Sequence, residues 1–485
     1  MDMNAGELEK SFKALYTQHF GENVDSLLPL APSGSKRIYY RAKSKNFTAI
    51  CAYNEDVAEN KTFFYLSQHF ALKKLPVPQI HIVSEDDKSY LQEDLGATTL
   101  YSFLFEKNDD FSTTLMRLYE QVVRNLAEIQ IIGHEDLDYK KCFGIQAFNK
   151  QSILWDLNQF KYHFLKVADI PFDEVALETD FEAFADYLLQ APQDYFMFRD
   201  FQTRNIMIKN NKPTFIDYQG GRKGALQYDL ASLLFQAKAN LPHQVREHLL
   251  AEYLTKANEF TTIDRDSFKK YYYPYAMVRT MQVLGAYGFR GIFQRKGHFL
   301  ESIPYAIKNM AWLLTHIPDD LAIPALRKVW KRIAANKKFD VIDKKAGKEA
   351  LLSIEVKSFS YKKGIPKTAS SHGGGFVFDC RFLHNPGRYE PYKDLTGRDE
   401  SVINFLQQHS AMPNFLNNVR HIVDAAVENY LDRSFDHLSI YFGCTGGKHR
   451  SVYAADQIAN YLHDKYGIRI TLQHRERGWK QEEIA

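Results

Sequence analysis

Residues 198–221 read "FRDFQTRNIMIKNNKPTFIDYQGG". Asp200 and Asn205 stand five positions apart, and Asp217 closes a short apolar run, "PTFID", after a polar turn. Alone, each residue is an ordinary turn or capping residue. Together they supply what phosphoryl transfer needs. One carboxylate, Asp200, orients and deprotonates an attacking hydroxyl. An amide oxygen and a second carboxylate, Asn205 and Asp217, hold Mg²⁺ on nucleotide phosphates. Magnesium favours such hard oxygen donors and keeps several waters.

The surroundings fit that chemistry. Upstream, "SGSKRIYYRAKS" (33–44) and "NFTAICAY" (46–53) read as extended segments. "EDVAENKTFFYLSQHF" (55–70) reads as a helix with acidic residues in its first turn, and two further strands follow it across an acidic turn. Strand, strand, helix, strand, strand predicts a small α+β lobe over 1–96. Residues 97–335 are mostly helical, with two short strands predicted around the polar loops of 195–220. The result is an α+β bilobal first part.

These motifs resemble the aminoglycoside/choline phosphotransferase branch of the kinase-like fold. "FRDFQTRNIMI", "FIDYQGG" and "QYDLASLL" resemble in particular bacterial sugar kinases that act on the anomeric hydroxyl of N-acetylmuramic acid or N-acetylglucosamine. The resemblance implies ATP or GTP with Mg²⁺ as cofactors and an amino sugar, or another small hydroxyl compound, as substrate. "YLQEDLG" (90–96) resembles the segment that receives the base, which places Glu93 and Leu95 there. Asp229 matches a structural aspartate. Phe198 stands where the family usually has histidine. The usual phosphate-binding lysine is replaced at "FTAICAYNED", which offers Tyr53 and Asn54, so Lys36, Arg37 or Arg41 would supply the charge. Arg41 and Glu59, the latter on the first helix, complete the cofactor set.

A basic stretch at 327–350 precedes a change of texture and reads as a helix end plus a linker (336–354), or as a patch that touches RNA. From 355 to 485 strands alternate with helices, which predicts an α/β domain. Its strongest feature is "YFGCTGGKHRSVYAADQIANYL" (441–462), a strand, a glycine-bearing turn and a helix. As a Walker A loop it fails, because His449 follows Lys448 and no suitable first glycine precedes. Cys444 and Arg450 have the C-x5-R spacing of a cysteine phosphatase, but Asp379, Asp394 and Asp399 compete for the general-acid role. Anion binding survives either reading. Glycines admit a close ligand, and a helix N-terminus favours phosphate.

"SFSYKKGIP", "FVFDCRFLHNPGRYEP", "LTGRDESVINFL", "FGCTGGKHRSVYAADQIANYL" and "QHRE" resemble, in that order, the RapZ C-terminal domain family. That resemblance implies a phosphosugar pocket lined by Lys363, Arg381, Cys444, Thr445, Gly446, Gly447, Lys448, His449, Arg450 and Arg475. It also brings RNA as a candidate partner. Gly387 departs from a histidine found in some members, and the tail "HRERGWKQEEIA" is less basic than theirs.

Composition sets outer limits. The chain has 485 residues, 45% hydrophobic and 25% charged, with a net charge of +3, so no whole-protein field argues for nucleic acid. Cys51, Cys142, Cys380 and Cys444 form no C-x-x-C pair, which fits a reducing cytoplasm. The start, MDMNAGELEKSF, reads as no signal peptide, and no apolar run is long enough to span a membrane.

Overall fold

An antiparallel sheet organises the first lobe. The computed structural model describes residues 5–30, 37–105, 113–294, 297–336, 339, 352–366, 375–432, 435, 437–479 and 481–484. Strands β1 (Ser26–Pro29), β2 (Ile38–Lys43), β3 (Thr48–Tyr53), β4 (Ile80–Val83) and β5 (Ser89–Glu93) lie in the order β1-β2-β3-β5-β4. Helix α1 (Ala5–Phe20) lays Leu8, Phe12, Leu15 and Tyr16 on the sheet against Tyr40, Ala42, Ala49 and Cys51. Burying each large apolar side chain is worth about 1.5–3 kcal/mol, which is why this helix stays docked. Neither α1 nor β1 is among the predicted elements. Helix α2 (Val57–Leu72) starts at Asp56, whose carboxylate accepts from Glu59 N, and sets Phe63 against Tyr90 with ring centres 5.4 Å apart.

The second lobe is helical, with α3 (Leu100–Phe105), α4 (Thr113–Ile131), α5 (Lys150–Phe160) and α6 (Glu174–Leu188) before the loops and α7 (Leu226–Leu234), α8 (His243–Ala257) and α9 (Arg265–Tyr287) after them. Short α10 (Gly297–Leu300), then α11 (Ile303–Leu313) and α12 (Pro324–Ala334), follow. Between α6 and α7 the chain makes two nested antiparallel pairs rather than the two strands predicted. β6 (Tyr195–Met197) pairs with β9 (Arg222–Gly224), and they enclose the hairpin of β7 (Ile206–Lys209) and β8 (Lys212–Phe215). The hairpin turns on Asn210 and Asn211, both left-handed (φ 53° and 59°), which asparagine tolerates best after glycine.

Two compact units result: Met1–Phe289 with Ser302–Asn336, and Arg290–Glu301 with Lys337–Ala485. Of the predicted basic stretch, α12 buries Val329, Trp330 and Ile333. Residues 337–338 and 340–351, most of the expected linker, lie outside the described residues.

In the second unit β10 (Ser353–Ser360), β11 (Gly375–Asp379), β12 (His437–Cys444) and β13 (Arg469–His474) run parallel, and β14 (Glu482–Ile484) adds an antiparallel edge. The order is β11-β12-β10-β13-β14. Between β11 and β12 the helical stretch divides into α13 (Glu400–Gln408) and α14 (Met412–Asp432), with Pro413 in the first turn of the second. Helix α15 (Arg450–Tyr466) links β12 to β13. β12 is buried almost throughout, as expected for a strand covered on both faces.

Candidate active site and anion cradle

The loop after β6 is held from below. Asp229, fully buried on α7, accepts from Phe198 N at 2.7 Å, Arg199 N at 3.1 Å and Gln130 Nε2 at 3.2 Å. Burial pushes its carboxyl up to about 7, against these N–H donors, which favour the anion. Phe198 occupies the usual histidine position and packs on Phe196, Phe201, Phe215 and Tyr218, so an aromatic plug braces the loop there. Arg199 sits at φ +79°, a conformation costly for a long side chain. A two-pronged ion pair with buried Asp156 and a bond to Tyr228 Oη at 2.6 Å hold it. The strain turns the next residue, Asp200, outward.

Asp200 is about half exposed, with Arg279 Nη2 3.4 Å from Oδ1. Arg279 comes from α9 and is itself fixed by Ser232 Oγ at 3.0 Å. Asn205 ties the set together: its Nδ2 donates to Asp200 O and to Asp217 Oδ2, each at 2.9 Å. That leaves Asn205 Oδ1 as an acceptor. Asp217, at φ +66°, also accepts from Gln219 Nε2 at 3.0 Å. Surrounding protein, then the neighbouring charge of Asp200, raise its pKa above the usual carboxylate range, while Arg37 opposes the rise. Tyr218 bonds Ser67 Oγ at 2.6 Å and stacks on Phe63 at 5.2 Å, so the position of Asp217 is tied to α2. Among the described residues no group of three or more His, Cys, Asp or Glu forms a metal cage. The donor set of Asn205 and Asp217 suits an ion completed by phosphate and water.

The cofactor residues fall in three places. Glu93 ends β5; its side chain meets Lys209 Nζ at 2.8 Å, and Lys209 also donates to Asp94 O at 2.9 Å. Leu95 follows, buried, in the segment joining the lobes. That segment is stitched to the hairpin by Ile208 N to Thr98 O at 2.9 Å. Arg41 is committed to the same segment, with Nε 2.8 Å from Asp94 Oδ2 and Nη2 2.9 Å from Gly96 O. Glu59 instead meets Arg37 at 3.3 Å and Asn54 Nδ2 at 2.8 Å. Lys36 lies outside the described residues.

In the second unit the predicted anion residues gather because the parallel strands end together. Lys363 follows β10, Arg381 follows β11, Cys444 ends β12 with residues 445–450 after it, and Arg475 follows β13. Registers Ser360 with Cys444 and Asp379 with Gly443 align those ends. Ligands of open α/β sheets bind at such carboxyl ends. Gly447 takes φ +62°, and a Cβ there would meet Glu476 Cγ at 2.5 Å. Arg450 is buried, with Nη1 donating to Arg381 O at 2.8 Å and Leu383 O at 2.9 Å, while its Nε has no hydrogen-bond partner among the described residues. Its Nη2 lies 3.5 Å from Thr445 Oγ1. Lys448 Nζ donates to Lys393 O at 2.7 Å, and His449 Nε2 meets Tyr392 O at 2.9 Å. Gly446 borders open space.

The Cys444 thiol is buried, accepts from Gly447 N at 3.2 Å and pairs with Ser451 Oγ at 3.1 Å. Burial opposes ionisation, but hydrogen bonds from the Ser451 hydroxyl and from the backbone N–H groups of Ser451 and Lys448, with the charge of Arg450, win and lower its pKa. Asp379, one candidate acid partner, is gripped by Arg381, which lowers its pKa and makes it a poor proton donor. Arg381 also lies over Tyr361, 3.8 Å from the ring centre. Glu476 was not singled out from the sequence. Its buried carboxylate binds Lys363 at 2.8 Å and Arg475 at 2.8 Å, so two predicted cations meet an internal anion.

Compared with known proteins, residues 35–269 match the phosphotransferase enzyme family and residues 352–478 the RapZ C-terminal domain. A nucleotide-binding protein of Histophilus somni (strain 2336) is 39% identical over 127 residues, 26% of this chain and 42% of that protein. The RNase adapter protein RapZ of Hamiltonella defensa subsp. Acyrthosiphon pisum (strain 5AT) is 38% identical over 128 residues, 26% of this chain and 43% of that protein. The chain thus spans less than half the length of these curated relatives. Among solved structures, Plasmodium vivax ethanolamine kinase is 14% identical with a TM-score of 0.42, covering 60% of this chain and 82% of its own. Choline kinase LicA from Streptococcus pneumoniae is 14% identical with a TM-score of 0.42, covering 62% and 99%. No helix among the described residues is long and apolar enough to cross a membrane.

Proposed function

Because residues 35–269 are a domain of the phosphotransferase enzyme family and residues 352–478 a RapZ C-terminal domain, we propose that the chain is a kinase of an amino sugar, joined to a domain that binds an amino-sugar phosphate. The observation that carries the first half is the bridge through Asn205, which joins Asp200 and Asp217 in one network. Asp200 takes the proton of the acceptor hydroxyl as that oxygen bonds to the terminal phosphorus of ATP or GTP, and the bond from phosphorus to the bridging oxygen breaks to release ADP or GDP. Arg279 holds that carboxylate in place. Asn205 Oδ1 and Asp217 would hold Mg²⁺, which would neutralise the phosphate charge. The base lies along Glu93 and Leu95. In the second unit Gly446, Gly447 and the start of α15 receive the phosphate, with Arg450 Nε turned to it. The four cysteines are unpaired, which suits a cytoplasmic setting.

Incubation of the full chain with radiolabelled ATP, Mg²⁺ and a panel of amino sugars tests the kinase. Label should pass to one sugar in the wild type and be lost in Asp200→Ala. Label on no sugar, or equal label in the variant, ends this reading.

A further inference from the structure

A phosphoryl-transfer site needs a cation beside the nucleotide phosphates, and β3 delivers none. The strand ends at Tyr53 and runs into Asn54. Arg37 immediately precedes β2, whose first residue, Ile38, pairs with Tyr53. It therefore stands at the same end of the sheet, one strand over, where a β3 lysine would have been. Arg37 is only 6% exposed. Its Nη2 lies 3.3 Å from Glu59 Oε1, and its guanidinium is 5.7 Å from the Phe63 ring centre, so both neighbours belong to α2. The other Glu59 oxygen accepts from Asn54 Nδ2 at 2.8 Å. Glu59 thus binds both the residue at the vacated position and the relocated charge. Arg37 also hydrogen-bonds Tyr39, the second residue of β2.

We propose that Arg37 is the cation that binds the nucleotide phosphates, with Glu59 as its helix partner, the charge having moved from the end of β3 to the start of β2. The inference rests on the kinase reading above. A guanidinium has five donors in a planar fork, enough to hold Glu59 on one edge and phosphate oxygens on another. Arg41 cannot take the role without leaving Asp94 and the segment between the lobes.

The test uses the full chain, with Mg·ADP binding by calorimetry as a readout that needs no acceptor, and turnover on the labelled sugar as the second. Arg37→Ala and the near-isosteric Arg37→Gln should each weaken Mg·ADP at least 10-fold and raise the ATP KM similarly, with the sugar KM unchanged. Arg37→Lys should keep binding within about 5-fold. The double variant Arg37→Ala/Asn54→Lys should recover at least 10-fold of the loss, which a purely structural arginine would not allow. Mg·ADP binding within 2-fold of wild type in both Arg37→Ala and Arg37→Gln overturns the inference while the kinase stands. A double variant that binds no better than Arg37→Ala also overturns it. A wild type that neither binds Mg·ADP nor labels any sugar removes both.

Discussion

In the proposed reading, the loop around Asp200 and the turn after Cys444 both serve phosphate chemistry, but on opposite plans. The first draws on scattered elements: Arg279 from α9, Asp229 from α7, Asp217 beyond a hairpin and Tyr218 leaning on α2. Its backbone is strained at Arg199 and Asp217 and is held by buried side chains. The second is almost contiguous, a strand end, two glycines and a helix start, with one buried arginine pinned to two carbonyls. The dispersed plan can bring groups with different pKa values to one point, as a reaction needs. The contiguous plan presents donors to an anion and little else.

Substitutions should separate the two plans, and the largest effect belongs to the reacting carboxylate. Asp200→Asn should cut kcat by about 10³–10⁴-fold with little change in Mg·ADP affinity, measured by steady-state kinetics and calorimetry. A loss under 10-fold would mean the loop only binds. Next comes the buried anchor. Asp229→Ala orphans the N–H groups of Phe198 and Arg199, and should cost about 3 kcal/mol of stability in denaturant melts as well as most of the turnover. The folded state holds the Asp229 proton up to about 7, whereas an unfolded aspartate releases it near ~3.9. Its contribution to stability therefore shrinks as pH rises from about 4 towards 7. Replacing it with Asn should flatten that slope.

In the cradle, Arg450→Ala should weaken binding of the proposed amino-sugar phosphate more than about 100-fold and destabilise the second unit by about 2–3 kcal/mol, since two carbonyls lose a charged donor. Sugar-kinase turnover with saturating substrates should stay unchanged. If turnover falls in parallel, the two plans are not independent. A pH profile is subtler. Metal binding needs Asp217 ionised, and its pKa lies above the ordinary range. Mg²⁺-dependent turnover should therefore begin to fail at a higher pH than a free aspartate would dictate, and the apparent metal affinity should fall with it. The smallest effect is expected at Lys448, whose ammonium donates to Lys393 O. Lys448→Ala should change phosphosugar affinity by less than about 5-fold.

Legibility followed the same division. The cradle could be read from one line of sequence because its residues are neighbours in the chain and at matching strand ends. Asp200, Asn205 and Asp217 were legible for the same reason, being joined by a short hairpin. Three basic residues near β2 competed for the phosphate role, and only register and burial distinguish Arg37, facing α2, from Arg41, tied to Asp94. Arg279 and Asp156 lie 79 and 43 positions from the loop residues they hold, and no local pattern marks such pairs. Helix α1 is a different case. Leu8, Phe12 and Leu15 repeat at helical spacing, so the sequence does carry a signal for it.

The asparagine at the end of β3 has a practical consequence. Acyl-phosphate nucleotide probes mark kinases by transferring their acyl group to an amine beside the phosphates. Here the side chain at that point is an amide, and the charge across from it is a guanidinium, neither of which is acylated under such conditions. A chemical survey of a cell extract would not mark this site through Asn54 or Arg37 even with nucleotide bound. Competition with unmodified ATP, rather than covalent capture, is the way to find proteins built like this one.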